Sequence, residues 1–374
     1  MKKVGIMSMQ RIANYGSFLQ AYALKQLIEE LGYKVEFVDY HVGAPVIAGN
    51  ADSKNKFVRK LEKGLETFKY QAPLSHKLAF IRYKQSFAKK YMSFLGITDE
   101  MNYYPTLDCL VIGSDEVFNC IQKNSNVGYS LELFGKDNHA DRLITYAASF
   151  GNTTLDKLEK YNKAEAVGRL LKEFNTISVR DANSGSIVEQ LTGEKPVYNL
   201  DPVLIYDYMN CCDRIPQIEI SEKYLVLYAY AGRISNDEAD WIAEYAKAKK
   251  LKIYAIGGIQ KCADRFIDCS PFEVLAYFRS AEEVITDTFH GSIFSVITHR
   301  PFTTLVRKST GNSYGNEEKL CDLLNRLGLE DRMAMRVEDT NRINRQLIDY
   351  GKVNAVLQKQ REIAQKYLQE NIEG

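Results

Sequence analysis

The stretch from Ala281 to Val306 constrains the fold more than any other part of the chain. Glu283–Thr286 is a short β-prone run, and Ser292–Thr298 has the apolar content of a helix that Pro301 closes. The polar turn Asp287–Gly291 lies between them. In a parallel α/β sheet, the loop after the carboxyl end of a strand faces the ligand crevice. The pattern therefore predicts an α/β fold with this turn at a ligand site.

His290 is the candidate catalytic residue of this turn, because imidazole exchanges protons near neutral pH. Gly291 allows the backbone to turn tightly, and the free N–H groups of Ser292 and Ile293 would open the helix and bind an anion. A predicted anion pocket therefore adjoins a proton carrier. The alternative interpretation is that His290 caps the helix or fills a hydrogen-bonded niche.

The composition is that of a globular protein with about two domains. The chain has 374 residues, of which 45% are hydrophobic and 26% charged, with a net charge of +1. This balance gives no overall attraction to nucleic acid. The sequence shows neither a signal peptide nor a run of about 18 uncharged apolar residues, so we expect a cytoplasmic protein. Seven scattered cysteines without CxxC pairs indicate reduced thiols, and a metal site at Cys262 and Cys269 would need a second ligand pair.

The chain opens with a β-α-β unit. Strands are predicted over Val4–Met7 and Lys34–Asp39, with an amphipathic helix over Ser17–Leu31 between them. The preceding turn, Arg11-Ile12-Ala13-Asn14-Tyr15-Gly16, lacks the G-x-G-x-x-G pattern of dinucleotide-binding folds. Asn14 and Gly16 therefore have two interpretations, an ordinary N-cap or a site for a smaller anion or a sugar.

Further predicted strands also end in polar groups. Cys109–Ile112 precedes Gly113-Ser114-Asp115-Glu116, Leu143–Ser149 is a strand, and Thr176–Val179 precedes Arg180 and Asp181. The carboxyl ends of parallel strands meet at one sheet edge, so these groups are predicted to lie together. Arg180 could hold a phosphate or carboxylate with two N–H groups, or form a salt bridge to Asp181 or Asp201.

The strand–helix alternation is interrupted once and later repeated, which predicts two domains. Residues 42–105 are a basic, aromatic-rich helical insertion in an N-terminal domain of residues 1–210. A C-terminal domain is predicted over 222–335, and a helical tail over 336–374 is expected to pack back on the first domain. This describes a GT-B-like architecture, two Rossmann-like domains facing across a cleft. The basic residues of the insertion form either a solvated helix face or a peripheral contact with an anionic membrane surface or lipid-linked substrate.

Six groups of residues occur in the same order as in a known family. They are Asn14-Tyr15-Gly16 with Leu19-Gln20-Ala21-Tyr22-Ala23-Leu24, Val111-Ile112-Gly113-Ser114-Asp115, Tyr146-Ala147-Ala148-Ser149-Phe150-Gly151, Ser178-Val179-Arg180-Asp181, Asp201-Pro202, and Thr286-Asp287-Thr288-Phe289-His290-Gly291. On these motifs the chain, from Met1 to about Leu329, resembles the polysaccharide pyruvyl transferase family. It departs from the family pattern at Glu116, Phe118 and Lys319, where relatives often have Gln, Trp and Arg.

The resemblance implies transfer of the enolpyruvyl unit of phosphoenolpyruvate onto two hydroxyls of a sugar, which forms a pyruvate ketal in polysaccharide or exopolysaccharide biosynthesis. Phosphoenolpyruvate is then a donor substrate, and no cofactor or metal is expected. Arg180 would bind the anionic donor, and His290 would transfer a proton. Asp287 or Asp115 would orient His290 or accept the hydroxyl proton. The implied substrate-binding residues are Asn14, Tyr15, Gly16, Gly113, Ser114, Ser149, Gly291 and Ser292.

Two other functions fit the same architecture. A nucleotide-sugar-dependent glycosyltransferase would bind a UDP- or GDP-linked donor, but no Glu-rich ribose-binding segment follows a Gly-rich loop in the second domain. A non-catalytic sugar-binding relative would not need both Arg180 and His290. The expected partner is a sugar acceptor, free or lipid-linked, and not a nucleic acid. The sequence leaves the oligomeric state open.

Overall fold

Two parallel sheets organise the molecule. The computed structural model describes residues 2–47, 66–122, 124–308 and 315–374. Within them, two six-stranded sheets form, and every strand pairs parallel with its neighbours. The loops that follow strands of both sheets line a common cleft. The predicted fold class, two Rossmann-like domains facing across a cleft, is confirmed.

The first unit comprises the N-terminal half of the chain. Its strands are β1 (Lys3–Met7), β2 (Lys34–Phe37), β3 (Cys109–Asp115), β4 (Arg142–Ala148), β5 (Ser178–Val179) and β6 (Val197–Tyr198). Its helices are α1 (Tyr15–Glu30), α2 (Leu74–Tyr91), α3 (Leu155–Lys160), α4 (Ala164–Leu171), α5 (Ala182–Thr192), α6 (Pro202–Ile205) and α7 (Tyr208–Cys211). The strand order is β2-β1-β3-β4-β5-β6, and every residue of the central strand β3 is buried.

The second unit repeats the arrangement. Its strands are β7 (Tyr224–Tyr228), β8 (Lys252–Ile256), β9 (Arg265–Phe266), β10 (Glu283–Thr286), β11 (Phe302–Leu305) and β12 (Met333–Ala334). Its helices, with those of the tail, are α8 (Asn236–Ala248), α9 (Pro271–Ser280), α10 (Phe289–Ile297), α11 (Glu317–Leu327), α12 (Thr340–Ile343) and α13 (Tyr350–Glu373). The strand order is β12-β11-β10-β7-β8-β9, so β10 lies inside the sheet.

Polar caps determine where several helices begin. The side-chain oxygen of Asn14 accepts hydrogen bonds from the N–H groups of Gly16 (2.7 Å) and Ser17 (3.3 Å), and α1 starts directly after it. Ser235 and Ser270 start α8 and α9 in capping boxes. Each cap satisfies backbone donors that the first helical turn leaves without partners. The Asn14 cap also holds the loop after β1 at the cleft.

An aromatic cluster joins the two units beneath the cleft. The ring of Phe272 on α9 lies 5.8 Å from the ring of Phe18 and 5.0 Å from that of Tyr22, both on α1. All three side chains are buried. Aromatic rings in such edge-to-face contacts bury large apolar surfaces. The interface therefore fixes α1, and with it one wall of the cleft, against the second unit.

Some elements differ from the predicted ones. The helix predicted over Leu155–Phe174 is divided into α3 and α4, because Asn162 between them has a left-handed backbone (φ 53°) that a helix cannot contain. The two-residue strands β6, β9 and β12 were not predicted, since two residues are too few to show a periodic pattern.

The helical insertion packs against both units. Tyr83 and Phe87 of α2 are buried, and the Phe80 ring contacts the Phe266 ring of β9 at 5.6 Å. Of the first basic segment, residues 54–65 lie outside the described residues. Among the helices that the structure describes, none is both long and apolar enough to cross a lipid bilayer.

The tail helix α13 runs from the second unit to the first. The Tyr367 hydroxyl donates to the backbone oxygen of Thr145 in β4 (2.8 Å), and Arg142 Nε donates to the backbone oxygen of Asn371 (2.8 Å). Leu368 and Ile372 are fully buried. Nearer its start, α13 lies beside α10, where His299 Nε2 and Asn354 Oδ1 are 3.1 Å apart. The helix therefore contacts both units.

Candidate active site

A cavity of about 520 Å³ lies between the two units, at the carboxyl ends of their strands. Its volume lies within the range of small-molecule sites. Its walls come from both units and from the insertion: Met9, Ile12, Ala13, Asn14, Ser17, Lys84, Asp115, Glu116, Asn124, Arg180, Tyr230, Arg233, Asp287, Thr288, Phe289, His290, Asn316 and Lys319. Charged and polar side chains predominate, which suits a polar, charged ligand.

His290 lies in the first turn of α10 and points across the cleft to the first unit. The Thr288 hydroxyl caps this helix by accepting a hydrogen bond from the Gly291 N–H (2.9 Å), so the helix begins at Phe289. The His290 side chain is 12% exposed, and its Nε2 lies 3.6 Å from Oδ2 of Asp201. The imidazole is therefore partly open to the cavity and faces a carboxylate of the opposite domain.

Gly16 provides the space for this imidazole. A Cβ atom at position 16 would overlap the ring of His290. The first turn of α1 and the first turn of α10 thus meet across the cleft, and only a residue without a side chain fits between them. Sequence analysis predicted Gly16 to bind substrate, whereas the structure places it against His290.

Asp201 connects His290 to Arg180. It is fully buried, and its Oδ2 accepts a hydrogen bond from Arg180 Nη1 at 3.0 Å. Its Oδ1 accepts from the N–H of Val203 (3.1 Å) at the start of α6. Burial by itself raises the pKa of Asp201, but the hydrogen bond and charge of His290, together with Arg180, outweigh this and lower the pKa. Asp201 is therefore ionised at neutral pH.

Arg180 follows β5 and is 4% exposed. Besides Asp201, its Nη1 lies 3.6 Å from Oδ1 of Asp115, and its guanidinium stacks on the Phe289 ring at 4.3 Å. Burial by itself lowers the pKa of Arg180, but the negative charges of Asp115 and Asp201 raise it by more, so the pKa is raised overall. Of the two interpretations of Arg180, the salt bridge to Asp201 is present. Asp181 instead caps α5 by accepting from the Ser184 N–H (2.9 Å).

Three other cations line the more open part of the cavity. Arg233 Nε lies 3.0 Å from Oδ2 of Asp287, and Lys319 Nζ lies 3.1 Å from Oε1 of Glu116. Lys84 of α2 differs from them. Its Nζ donates to the backbone oxygen of Ala13 (3.1 Å), and among the described residues no carboxylate lies within ion-pair distance of it. Although the residue as a whole is exposed, desolvation in the cleft lowers the pKa of Lys84 to about 8.

Sequence analysis named Asp287 and Asp115 as candidates to orient His290 or accept the hydroxyl proton, but the structure pairs both of them with other residues. Asp287 is fully buried and pairs with Arg233, and burial raises its pKa although Arg233 opposes the shift. Asp115 accepts a hydrogen bond from the Ser17 hydroxyl (3.1 Å) and faces Arg180. The carboxylate that the structure places beside His290 is Asp201, at 3.6 Å from Nε2, whereas Asp287 pairs with Arg233 and Asp115 faces Arg180.

The predicted substrate-binding residues divide into two groups. Asn14 lines the cavity, where its Nδ2 donates to the Tyr230 hydroxyl of the second unit at 3.2 Å. The side chains of three others make buried hydrogen bonds elsewhere: Tyr15 to the backbone oxygen of Cys269 (2.9 Å), Ser114 to Gln20 (2.8 Å) and Ser149 to Asp181 (2.6 Å). Gly113 has φ 132° and packs against the backbone of Tyr146. These four residues support the cavity walls and do not form them.

The predicted anion pocket at Gly291 and Ser292 is also displaced. Because α10 begins at Phe289, three residues earlier than predicted, the Gly291 N–H already bonds to the Thr288 hydroxyl. The Ser292 N–H bonds to the Thr288 backbone oxygen (3.2 Å), and its hydroxyl lies 2.8 Å from that of Thr304. Neither N–H group is available to a ligand.

Sequence reasoning missed several residues that the structure brings to the site. Asp201 was considered as a partner of Arg180 and as part of a family motif, but not as a partner of His290, although the pair Asp201-Pro202 is typical of a helix start placed after a strand. Lys84 was one of many basic residues of the insertion. Tyr230 and Arg233 follow β7, and position at a strand end was the signal that could have identified them.

Comparison with known proteins gives one match over most of the chain. A family model described as polysaccharide pyruvyl transferase matches residues 14–309. No curated protein is significantly similar in sequence.

The solved structures that match the chain are remote in sequence. The S. aureus MnaA–UDP co-structure has a TM-score of 0.48 and 10% identity, covering 98% of this chain and 94% of that chain. A Methanocaldococcus jannaschii UDP-GlcNAc 2-epimerase in complex with UDP-GlcNAc and UDP has a TM-score of 0.48 and 11% identity, covering 100% of both chains. A mutant Thermobaculum terrenum O-GlcNAc transferase has a TM-score of 0.43 and 14% identity, covering 100% of this chain and 66% of that chain.

Proposed function

Since the chain belongs to the polysaccharide pyruvyl transferase family, we propose that it transfers the enolpyruvyl group of phosphoenolpyruvate to a sugar of a polysaccharide or its precursor, forming a pyruvate ketal. One observation supports this most directly. Inside the cavity, His290 of the second unit faces the ionised pair of Asp201 and Arg180 from the first unit. A proton carrier is thus held among charged groups at the junction of the two domains.

The charges of the cavity suit an anionic donor. Phosphoenolpyruvate has a phosphate and a carboxylate, and both need cations or N–H donors. We assign its binding to Lys84, Arg233 and Lys319, which line the cavity from the insertion and the second unit. Lys84 is the most favourable of these, because no carboxylate among the described residues neutralises it. Arg180 is matched by two carboxylates, so its main role is to hold Asp201 and Asp115 in place.

The proposed reaction conserves atoms and charge with one proton carrier. Protonation of the methylene carbon of the donor gives an oxocarbenium-like centre at C2, and the first sugar hydroxyl attacks that carbon. Phosphate then leaves, and the second hydroxyl closes the ketal at the same carbon. Of the two hydroxyl protons, one replaces the proton given to the methylene group and the other leaves with phosphate. The protein must therefore only donate and recover a proton in the cavity.

His290 is the residue that we assign to this proton transfer. Its Nε2 lies 3.6 Å from the carboxylate of Asp201, which can orient the imidazole ring towards the cavity. We assign acceptance of the hydroxyl proton of the acceptor to Asp115, which lines the cavity and accepts a hydrogen bond from the Ser17 hydroxyl. If Asp115 accepts the hydroxyl proton, the first step of His290 is to protonate the methylene carbon of the donor.

The test is incubation of the full-length protein with phosphoenolpyruvate and a panel of free, nucleotide-linked and lipid-linked sugars. We expect release of phosphate only in the presence of the correct acceptor, and a product with the mass gain of a pyruvate ketal. Phosphate release without acceptor would show hydrolysis and contradict the proposal. Sugar transfer from a nucleotide sugar, without phosphoenolpyruvate, would instead assign the glycosyltransferase function.

A further inference from the structure

A second cavity, of about 720 Å³, lies outside the cleft, where the linker around α7 (residues 206–210), the second unit and the tail helix meet. It shares no lining residue with the cavity of the candidate active site. Its walls come from the linker around α7, from the ends of α9 and α10, and from the exposed side of α13. Because all three elements line the same cavity, a ligand that fills it would contact distant parts of the chain.

Three arginines line this cavity, and backbone oxygens hold each of them. Arg279 donates to the oxygen of Pro216 (2.9 Å), Arg300 to that of Ala281 (3.3 Å) and Arg361 to that of Ile205 (2.9 Å). A carbonyl oxygen orients a guanidinium but does not neutralise its charge. Each guanidinium has five N–H donors, and these contacts use only part of them. The arginines are therefore fixed in position and still able to bind an anion.

The charge of the cavity is not balanced by its own carboxylates. Among its lining residues Asp207 is the one carboxylate, and it lies 3.3 Å from Nη1 of Arg361. Three arginines against one aspartate leave a net charge of +2. In the candidate active site, by contrast, Arg180, Arg233 and Lys319 each face a carboxylate. Planar guanidinium groups in an uncompensated pocket match the oxygens of a phosphate.

The rest of the wall indicates more than a bare phosphate. The amide side chains of Asn210, Asn354 and Gln358 can bond to hydroxyl groups, and Met209 and Ile297 offer apolar surface. A volume of about 720 Å³ also exceeds what an inorganic ion requires. We propose that this cavity is a second ligand site that binds a phosphate ester with a hydroxylated body, the chemistry shared by sugar phosphates and nucleotides. The arginines bind the phosphate, and the amides bind the hydroxyls.

The position of this site relates it to the cleft. Thr298 to Arg300, directly after α10, line the second cavity, whereas His290 lies in the first turn of the same helix. Nine helical residues at about 1.5 Å each separate the two ends by roughly 13 Å. A ligand in the second cavity would therefore contact the end of the element that positions His290.

Calorimetric titration of the full-length protein tests the proposal, with glucose 1-phosphate, uridine diphosphate and inorganic phosphate as probes. The variants are Arg279→Gln combined with Arg300→Gln, which removes two cations, and Ala355→Trp, which fills the cavity from an exposed position on α13. Arg336→Gln is the matched control, because Arg336 is exposed and does not line the cavity. Near-ultraviolet circular dichroism verifies the fold of each variant.

We expect the wild-type protein and Arg336→Gln to bind at least one ester at a site that both cavity variants lose or bind about tenfold more weakly, as loss of charged hydrogen bonds implies. Preference for glucose 1-phosphate or for uridine diphosphate would distinguish a sugar phosphate from a nucleotide. Identical isotherms for the wild type and both cavity variants would overturn the proposal. Inorganic phosphate binding as tightly as both esters would also overturn it, because the hydroxylated body would then not be recognised. The test uses neither phosphoenolpyruvate nor catalytic activity, so it is independent of the proposed transferase function.

Discussion

His290 and Arg180 meet at one buried carboxylate, and this determines what each of them can do. Asp201 Oδ2 lies 3.6 Å from His290 Nε2 and accepts a hydrogen bond from Arg180 Nη1 at 3.0 Å. Because Arg180 is buried and faces both Asp201 and Asp115, its charge is already matched by these carboxylates. His290, which is partly exposed to the cavity, is the group that can exchange a proton with a ligand.

Replacement of His290 by glutamine tests this assignment. Glutamine keeps a polar side chain but cannot transfer a proton, so we expect kcat to fall by about 10²–10⁴-fold. Binding of phosphoenolpyruvate, measured by calorimetry, should persist, since the proposed donor contacts come from Lys84, Arg233 and Lys319. His139→Gln, at an exposed position outside the cleft, should leave kcat unchanged. Loss of donor binding with kcat retained would place His290 in the anion site instead.

Asp201 gives a prediction for stability against pH. The pKa of Asp201 is lower in the folded protein than in the unfolded chain. The ionised carboxylate therefore contributes its full stability above the unfolded pKa of about 4, and this contribution is lost as the pH falls through the folded pKa. Asp201→Asn should lower the free energy of unfolding at pH 7 by roughly 3 kcal/mol, because a buried ion pair loses one partner. Urea unfolding should show that this difference becomes smaller below about pH 4. A surface control, Asp137→Asn, should show no comparable loss, and a difference for Asp201→Asn that stayed constant down to pH 2 would contradict the assigned shift.

Lys84 gives a prediction for binding against pH. Its pKa is lowered to about 8, so the ammonium that attracts the donor is present below pH 8 and lost above it. Affinity for phosphoenolpyruvate should therefore decrease as the pH rises from 7 to 9, although a bound anion will move the midpoint upward. Lys84→Arg should remove this decrease, because guanidinium stays charged. Lys89→Gln, on the same helix but outside the cavity, should follow the wild-type profile, and an unchanged profile in Lys84→Arg would exclude Lys84 as its source.

The sequence predicted part of this residue-level arrangement and could not predict the rest. Arg180, Asp115 and His290 were placed together because each follows a parallel strand, a rule that depends only on topology. The sequence offered Asp287 and Asp115 as candidates to act with His290 and left the choice of carboxylate open. It did not offer Asp201, because Asp201 follows the two-residue strand β6, which has no periodic signal. That choice depends on how the two domains are oriented, and local sequence patterns do not encode the orientation.

At the scale of elements, two helices that begin at the cleft determine the position of the imidazole. The N-cap Asn14 fixes the start of α1, and the N-cap Thr288 fixes the start of α10. The Asn14 cap was one of the two interpretations from sequence, whereas the start of α10 was predicted three residues too late. Phe289 and His290 resembled turn residues in the sequence, but the buried Thr288 hydroxyl accepts a hydrogen bond from the Gly291 N–H and so includes both residues in the first helical turn.

Gly16→Ala tests whether the meeting of these helices controls activity. Alanine favours a helix, so α1 itself should be stabilised by up to about 1 kcal/mol. Its methyl group would nevertheless overlap the His290 ring close to the backbone of α10, where the ring cannot move away easily. We expect kcat to fall at least about tenfold while the melting temperature changes by only a few degrees. Gly168→Ala in α4 is the matched control, since its methyl group would meet Leu191 at ordinary contact distance, and equal activity of the two variants would contradict the argument.

At the scale of the whole molecule, contacts between the units hold the cleft in the described arrangement. On α11, Lys319 pairs with Glu116 of the first unit. About two turns further along the same helix, Arg326 Nη1 donates to the backbone oxygen of Arg180 (3.0 Å). Asn14 bonds to Tyr230 across the cavity. These contacts are polar and few, whereas the aromatic cluster around Phe272 and the tail helix bury apolar surface. The polar contacts can therefore rearrange around a ligand while the apolar ones keep the domains together.

The tail helix should consequently contribute strongly to the stability of the first unit. Leu368 of α13 is fully buried, and the Tyr367 hydroxyl beside it bonds to the backbone of β4. Leu368→Ala removes buried apolar surface and leaves a cavity, so we expect the free energy of unfolding in urea to fall by about 2–5 kcal/mol. Ile363→Ala, at a position of the same helix that is 37% exposed, should cost less than about 1 kcal/mol. If the two variants lost equal stability, the tail would be a surface attachment. A larger loss for Leu368→Ala would instead mean that α13 completes the core of the N-terminal domain. The two domains could then not move apart without disturbing that core.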